Sequence, residues 1–382
     1  MKCFKLSLFA LFVSGCTTLP LKVERLTPPT LSQHHIAKKV SCVRPTRNGI
    51  FQIRSDVEGK KLVTHIYGHG GAGLTLAAGS VDKGLKLFEQ ALTANPKFKN
   101  KPIRVVGAGI MGMWSAVGLA KKGYTVKISA KELKNLPSYY AAGIFGPAPD
   151  SMMVSKDELK LVDAVAARSY TIYAEIAAGR HPYIKRGPEP MPIYVGAHTN
   201  SGLDPLVAMG VMPTPEQVLV DFGNGKKHFS TKFASFFIHG PKLMAELHRE
   251  AKALRIKIVK EHIRDLQRIP EPIIFDCSGL GARELAHDDR MVPVLGHILM
   301  LKDQPPKAER NYMVLVEANG KMLYVTPKGE GAVGSSFIKG EGRLNSHKEQ
   351  YDLVLARAID FFGGPPQRAE RAANAAKLTP DS

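Results

Sequence analysis

Two periodicities organise the chain. Residues 40–53 and 61–67 are β-like runs, and residues 74–92 carry apolar side chains at helical spacing. Residues 93–102, TANPKFKNKP, are polar and broken by two prolines, which predicts a surface connector. A buried strand follows at 103–107, a helix at 111–122 and a second strand at 124–129, which together make a βαβ opening. The pattern then predicts a long amphipathic helix over 156–178, a sheet-forming stretch rich in Pro and β-branched residues, and a helix over 239–254. Strands are predicted at 256–262, 273–276, 291–301 and within 323–336, and a helix at 346–362. Residues 17–39 contain Thr27-Pro28-Pro29-Thr30 and lack apolar periodicity, so they read as a tether. Residues 363–382, rich in Ala, Pro and charge, read as a weakly ordered tail.

Composition adds size and surface. A chain of 382 residues with 44% hydrophobic content suits two domains or an interleaved pair. Lys+Arg 53 against Asp+Glu 34 gives a net charge of +19, but the basic residues are scattered and no tract interleaves them with aromatics. This predicts a solvated basic surface before attraction to anionic lipid, and no nucleic-acid partner. The first sixteen residues read as an export signal: Lys2 and Lys5, a short apolar run at 6–13, then Val13-Ser14-Gly15-Cys16. The run is too short to span a bilayer. The residues before Cys16 resemble the bacterial lipobox, which implies a lipidated Cys16 and a periplasmic, membrane-anchored protein. Thr17 favours the outer membrane. No twin-arginine pair precedes the run, so a cofactor would be acquired after export. Cys42 and Cys277 lie far apart in contexts that read as separate strands, so no disulfide between them is expected, and His34-His35 read as exposed side chains without metal spacing.

Gly107, Gly109 and Gly112 follow an apolar strand and open a helix, a context that suits a dinucleotide. The glycines allow a tight turn, backbone approach to a pyrophosphate and close helix packing, and the N–H groups at Ile110 and Met111 face the phosphates. An acidic residue about twenty positions on should hold the ribose. Lys131 stands there with Glu132 beside it, so either Glu132 takes that role or Lys131 faces a phosphate, as in an NADP site.

Gly68-His69-Gly70-Gly71-Ala72-Gly73-Leu74-Thr75 resembles the glycine-rich run of the D-amino-acid oxidase family of FAD-dependent enzymes. In that family the run closes the chain and the GxGxxG strand opens it. Here the order is inverted, so the chain looks like a circularly permuted member. Ala141-Ala142-Gly143 resembles the family's AAG segment, and Asp276-Cys277-Ser278-Gly279 its V-N-C-T-G strand end. Ile263 corresponds to a position whose backbone meets the adenine. The resemblance implies FAD bound by Gly107, Gly109, Ile110, Met111, Gly112, Lys131, Glu132, Ala141, Ala142, Gly143, Ile263 and Ser278, and by Gly70, Gly71, Ala72, Gly73, Leu74 and Thr75. Thr75 would open a helix directed at the flavin, and His69 is read as structural.

Cys42-Val43-Arg44-Pro45-Thr46-Arg47 resembles the family's R-P-x-R segment. Arg44 would grip a substrate carboxylate, Arg47 would be structural, and the Gly71 carbonyl would meet the amino group. Tyr324-Val325-Thr326-Pro327 matches the second of the family's two substrate tyrosines, while Gly320 stands where the first belongs. One aromatic wall is therefore absent from the pattern. The implied fold is α/β, an FAD-binding Rossmann-like βαβ domain interleaved with an antiparallel-sheet substrate domain. The FAD-binding parts would be 40–155 and 236–290, and the substrate parts 156–235 and 291–362. The implied reaction is oxidative deamination of a D-amino acid or a glycine-like amine, with oxygen or a quinone as electron acceptor. Two alternatives remain open at this point: an NADP-dependent dehydrogenase and a non-catalytic lipoprotein that binds FAD or an amino acid.

Overall fold

The computed structural model describes residues 21–147, 155–334 and 336–363. The signal-like segment 1–16 with Cys16, and the tail from 364 onward, lie outside the described residues. Strand runs and helical runs assemble as two sheets with helices between and around them.

The smaller sheet has the strand order Lys257–Lys260, Val126–Ala130, Ile103–Val106, Ile273–Asp276, Lys61–Tyr67, Gln52–Glu58. The first five run parallel and only the last pair is antiparallel. A parallel sheet is covered on both faces, and the run Lys61–Tyr67 is accordingly buried at every position. Helices Gly73–Ala94 and Ile110–Lys121 pack beside each other on this sheet, and the first also meets helix Lys156–Ala177. Gly79 makes that crossing close: its N–H donates to Ser169 Oγ at 2.8 Å, and a Cβ there would stand 2.1 Å from the Val165 carbonyl oxygen. Helix Lys156–Ala177 starts in a complete capping box, Ser155 with Glu158, which fixes its first turn. The connector at 93–102 runs over the surface with Phe98 as its buried anchor.

The larger sheet is mostly antiparallel, in the order Lys22–Arg25, Glu216–Asp221, Lys227–Ile238, Pro188–Gly196, Met313–Ala318, Lys321–Thr326, Ala332–Gly334, Met291–Leu301, Ile338–Lys339. Strand Ile36–Arg47 lies along Met291–Leu301 through eleven paired positions. One face carries an apolar layer that includes Tyr312, Val316, Val354 and Phe362, closed by helix Glu349–Phe362. The other face looks toward the parallel sheet, and the functional site lies between them.

Two expectations are corrected. Residues 21–39 are no tether: Lys22–Arg25 pairs in parallel with 218–221, Glu24 accepts from Lys232 Nζ at 2.9 Å and from Tyr194 Oη at 2.6 Å, and the Thr27 carbonyl accepts from Tyr312 Oη at 2.7 Å. A four-residue edge strand held by such bonds leaves no apolar period to read. Residues 40–47, assigned with the FAD-binding part 40–155, belong instead to the larger sheet, and the parallel sheet begins at Gln52. The chain breaks between the two at Asn48-Gly49-Ile50, where Gly49 has φ 81°.

Candidate active site

The five parallel strands end on the same side, so Gly68, Gly107, Lys131, Glu261 and Cys277 follow their carboxyl ends along one edge. That is where ligands bind in open parallel sheets. A cleft of about 540 Å³ runs along this edge. It is lined on one side by Gly70, Gly71, Gly73 and Leu74 and on the other by Gly107, Gly109, Ile110 and Met111. The two glycine motifs, separated in sequence by helix Gly73–Ala94 and the connector, therefore face each other across one groove. Gly107 has φ +111°, and a Cβ on it would meet the Cys277 carbonyl oxygen at 2.3 Å. Gly112 packs the helix against this turn, its hypothetical Cβ only 2.0 Å from the Gly107 oxygen. Ser138 Oγ accepts from the Ile110 N–H at 3.0 Å, leaving the Met111 and Gly112 N–H groups ahead of the first intrahelical acceptor.

Residues Lys131, Glu132, His262 and Ile263 line the far end of the cleft, and Ala141 and Ser278 also border it. Lys131 and Glu132 are exposed on the rim, with Glu132 3.3 Å from Lys260. The buried Ser278 hydroxyl has no partner among the described residues, and around Gly73 nothing approaches within 4 Å of a hypothetical Cβ. A bare glycine wall, an orphaned hydroxyl and a helix N-terminus are what an extended dinucleotide requires. Gly112 and Thr75 lie behind the cleft wall. The helix begins at Gly73, ahead of Thr75, and Thr75 Oγ1 donates to the Ile144 carbonyl at 3.0 Å, pinning the segment that carries Ala141, Ala142 and Gly143.

At Gly70-Gly71 and Ala141 the cleft meets a second cavity of about 660 Å³, whose wall also includes Ala72, Ala142 and Gly143. Its floor is the inward face of the larger sheet. Arg44, Tyr324 and Gly71 all line it. Val294 is paired with Arg44, and Tyr324 with both Gly334 and Leu315, so these side chains share one face. Two glycines make room for the polar groups. A Cβ on Gly296 would stand 2.2 Å from Arg44 Nη1, and one on Gly334 would stand 2.2 Å from Tyr324 Cζ. Arg44 Nη1 donates to the Ser336 carbonyl at 3.0 Å and its guanidinium lies 4.3 Å from the Phe337 ring centroid. Burial pushes the Tyr324 phenol up to about 12 against the opposing pull of Arg44, so it stays a neutral donor.

Arg47 is structural, donating to Asp288 Oδ2 at 2.6 Å and to the Ile50 carbonyl at 2.7 Å. His69 is too: it stacks on Phe51 at 4.4 Å, its Nε2 lies 2.8 Å from Ser80 Oγ, and burial drives its imidazole down to about 3. Cys42 and Cys277 are both buried free thiols.

Gly320 cannot be a wall residue, because Asn319 and Gly320 have φ 52° and 68° and form the turn of the hairpin between Met313–Ala318 and Lys321–Thr326. The strand starts too late to carry an earlier aromatic. Phe337 supplies an aromatic ring from the opposite side of the cavity. Sequence reasoning missed it, along with Ser138 and Lys328. Lys328 Nζ donates to the Tyr139 and Ala141 carbonyls at 3.1 and 2.7 Å, tying the larger sheet to the segment between the two cavities, and burial lowers it to about 8. Its place directly after Tyr324-Val325-Thr326-Pro327 was the available signal.

The family of FAD dependent oxidoreductases designated DAO matches residues 103–381. The chain belongs to this family. Its cofactor is therefore FAD, and the NADP reading prompted by Lys131 falls away. A D-amino-acid oxidase from Streptomyces coelicolor is 25% identical over 260 residues, covering 67% of this chain and 74% of that protein. A D-amino-acid oxidase from Rubrobacter xylanophilus is 24% identical over 261 residues, covering 66% and 74%. Among solved structures, a glycine oxidase from Geobacillus kaustophilus aligns over 68% of this chain and 77% of its own, with 17% identity and a TM-score of 0.49.

Proposed function

We propose that this protein oxidises a D-amino acid, or a glycine-like amine, to an imino acid that water converts to a 2-oxo acid and ammonia. The observation that carries this reading is the convergence of Arg44, Tyr324 and Gly71 on one cavity that opens into the nucleotide cleft at Gly70-Gly71. Bound FAD supplies the two-electron acceptor for the hydride leaving the substrate Cα.

The residues of the chain position the substrate. Arg44 presents a planar guanidinium whose parallel N–H groups suit a carboxylate. The Tyr324 hydroxyl donates a second hydrogen bond to the same group, and the Gly71 carbonyl accepts from the amine. No general base is assigned: His69 is neutral and engaged with Ser80. Rate then comes from alignment and from exclusion of water by the apolar walls, including Val294, Ile298, Leu315 and Met322. The electron acceptor in this reading is oxygen, or a quinone if the protein is tethered to a membrane.

The chain order supports a circular permutation, in which 40–92 serves as the family's usual final segment. The connector at 93–102 would join it to the strand that usually comes first. The first sixteen residues support a lipoprotein anchored through Cys16 on the periplasmic side, with the outer membrane favoured. Metabolic labelling with a radioactive fatty acid tests that placement, and a Cys16→Ala protein that is still labelled would rule it out.

Arg44→Ala tests the function. It should lower kcat/KM for the best D-amino acid by about a hundredfold, in line with a lost charge-assisted pair. Turnover and substrate affinity that survive this change would refute the clamp.

A further inference from the structure

The cavity floor holds a second positive charge. Val294 is paired with Arg44 on one side and with Lys339 on the other. Three residues in one cross-strand row project from the same face, and all three line the cavity. Neighbouring strands are about 4.8 Å apart, so the two cationic residues stem from backbone roughly 10 Å apart with the Val294 side chain between them. No aspartate or glutamate lines this cavity among the described residues. The nearest acid in sequence, Glu341, is held by Arg343 at 2.8 Å, and Lys339 has no described ion-pair partner. Arg47, also at the wall, is neutralised by Asp288. Phe337, two residues before Lys339 and 4.3 Å from the Arg44 guanidinium, is 49% exposed, leaving this end of the cavity open to a polar group.

We propose that Lys339 is a specificity-determining residue and that the protein favours amino acids or amines bearing a second anionic group. Resting on the proposed Arg44 clamp, this arrangement seats one carboxylate at Arg44 and the other at Lys339, with the intervening carbons over Val294. The flexible four-carbon stem of lysine spans the remaining distance to dicarboxylates of different length. A cationic side chain would meet uncompensated positive charge and be disfavoured.

The test is binding to the FAD-loaded protein, read by calorimetry so that turnover is not required. Glutarate is compared with butyrate, which has one carboxylate fewer on a similar carbon chain. Wild type should bind glutarate roughly fivefold more tightly, the size expected of one solvent-accessible ion pair. The ratio should fall as salt is raised. Lys339→Met should bring the ratio toward one, and Lys339→Arg should keep it. Equal affinities in wild type, or an unchanged ratio in Lys339→Met, would overturn this proposal and leave the Arg44 clamp standing. If neither acid binds, the clamp fails and this inference fails with it; where both bind, Arg44→Ala should weaken both alike, which tests the clamp separately from Lys339.

Discussion

Adding one methyl group at Gly296 perturbs the proposed carboxylate clamp without altering Arg44. The added Cβ would lie 2.2 Å from Arg44 Nη1 and 2.5 Å from Cζ and Nη2. Ordinary contact begins near 3.4 Å, so the guanidinium has to retreat by roughly 1 Å to recover van der Waals separation. It is the free end of a long side chain and moves more readily than the paired strand beneath it. Gly296 has no positive φ, so alanine is compatible with its backbone. The retreat breaks the 3.0 Å bond to Ser336 and the 4.3 Å stacking on Phe337 that hold the fork in place. A charge-assisted hydrogen bond contributes about 1.5–3 kcal/mol, which corresponds to a loss of roughly 10- to 150-fold in kcat/KM. The assay is steady-state oxidation of a D-amino acid, with FAD content and Tm measured on the same samples. FAD content should not change, since Gly296 does not line the nucleotide cleft. Gly342→Ala is the matched control, because its new methyl would meet only Pro293 at 3.6 Å. A Gly296→Ala enzyme within threefold of wild type would refute the reasoning that the glycine exists to seat the guanidinium.

Two other outcomes follow from the same geometry. Gly109→Leu should fold, since its Cβ would meet nothing nearer than Ser138 Oγ at 3.6 Å, yet lower FAD content at least tenfold by filling the cleft; a normal flavin load would place the pyrophosphate elsewhere. His65 gives a pH dependence: burial alone would lower its imidazole, but bonds at 3.0 Å to Asp276 and to Glu58 outweigh it and raise it above 6.5. Its contribution to stability is thus complete below about pH 6.5 and disappears as pH rises through the raised folded-state value. The Tm difference between wild type and His65→Asn should therefore shrink from pH 6 to pH 9, and a difference that grows would show the charged imidazole to be destabilising.

The cofactor side of the site was legible because it is written in glycine. Gly107, Gly109 and Gly112, and Gly70, Gly71 and Gly73, occur where backbone has to approach a ligand or another segment, and such spacings survive in a one-dimensional reading. The helices at 74–92 and 156–178 were legible for the same reason, being long and strongly periodic. The side formed by the larger sheet was less so. Arg44 owes its geometry to Gly296, Tyr324 to Gly334, and Lys339 its place to a shared partner, Val294. Each relation depends on strand register between segments distant in sequence, and no local pattern records it. Asn319-Gly320, by contrast, was a readable hairpin signal. Its recognition would have explained why an aromatic is absent at Gly320 and directed attention to Phe337. The edge strand at Lys22–Arg25 left no trace because four mostly exposed residues carry no apolar period.

The central claim is that the cleft walled by two glycine motifs holds FAD against an amino-acid substrate seated in the adjoining cavity at Arg44 and Tyr324. The most direct measurement is the absorption spectrum of the purified, FAD-reconstituted protein before and after anaerobic addition of D-amino acids and glycine. The account predicts a flavin band that bleaches with at least one of them in wild type and much more slowly in Arg44→Ala. A protein that retains no flavin, or a band that every such compound leaves unchanged, would contradict it.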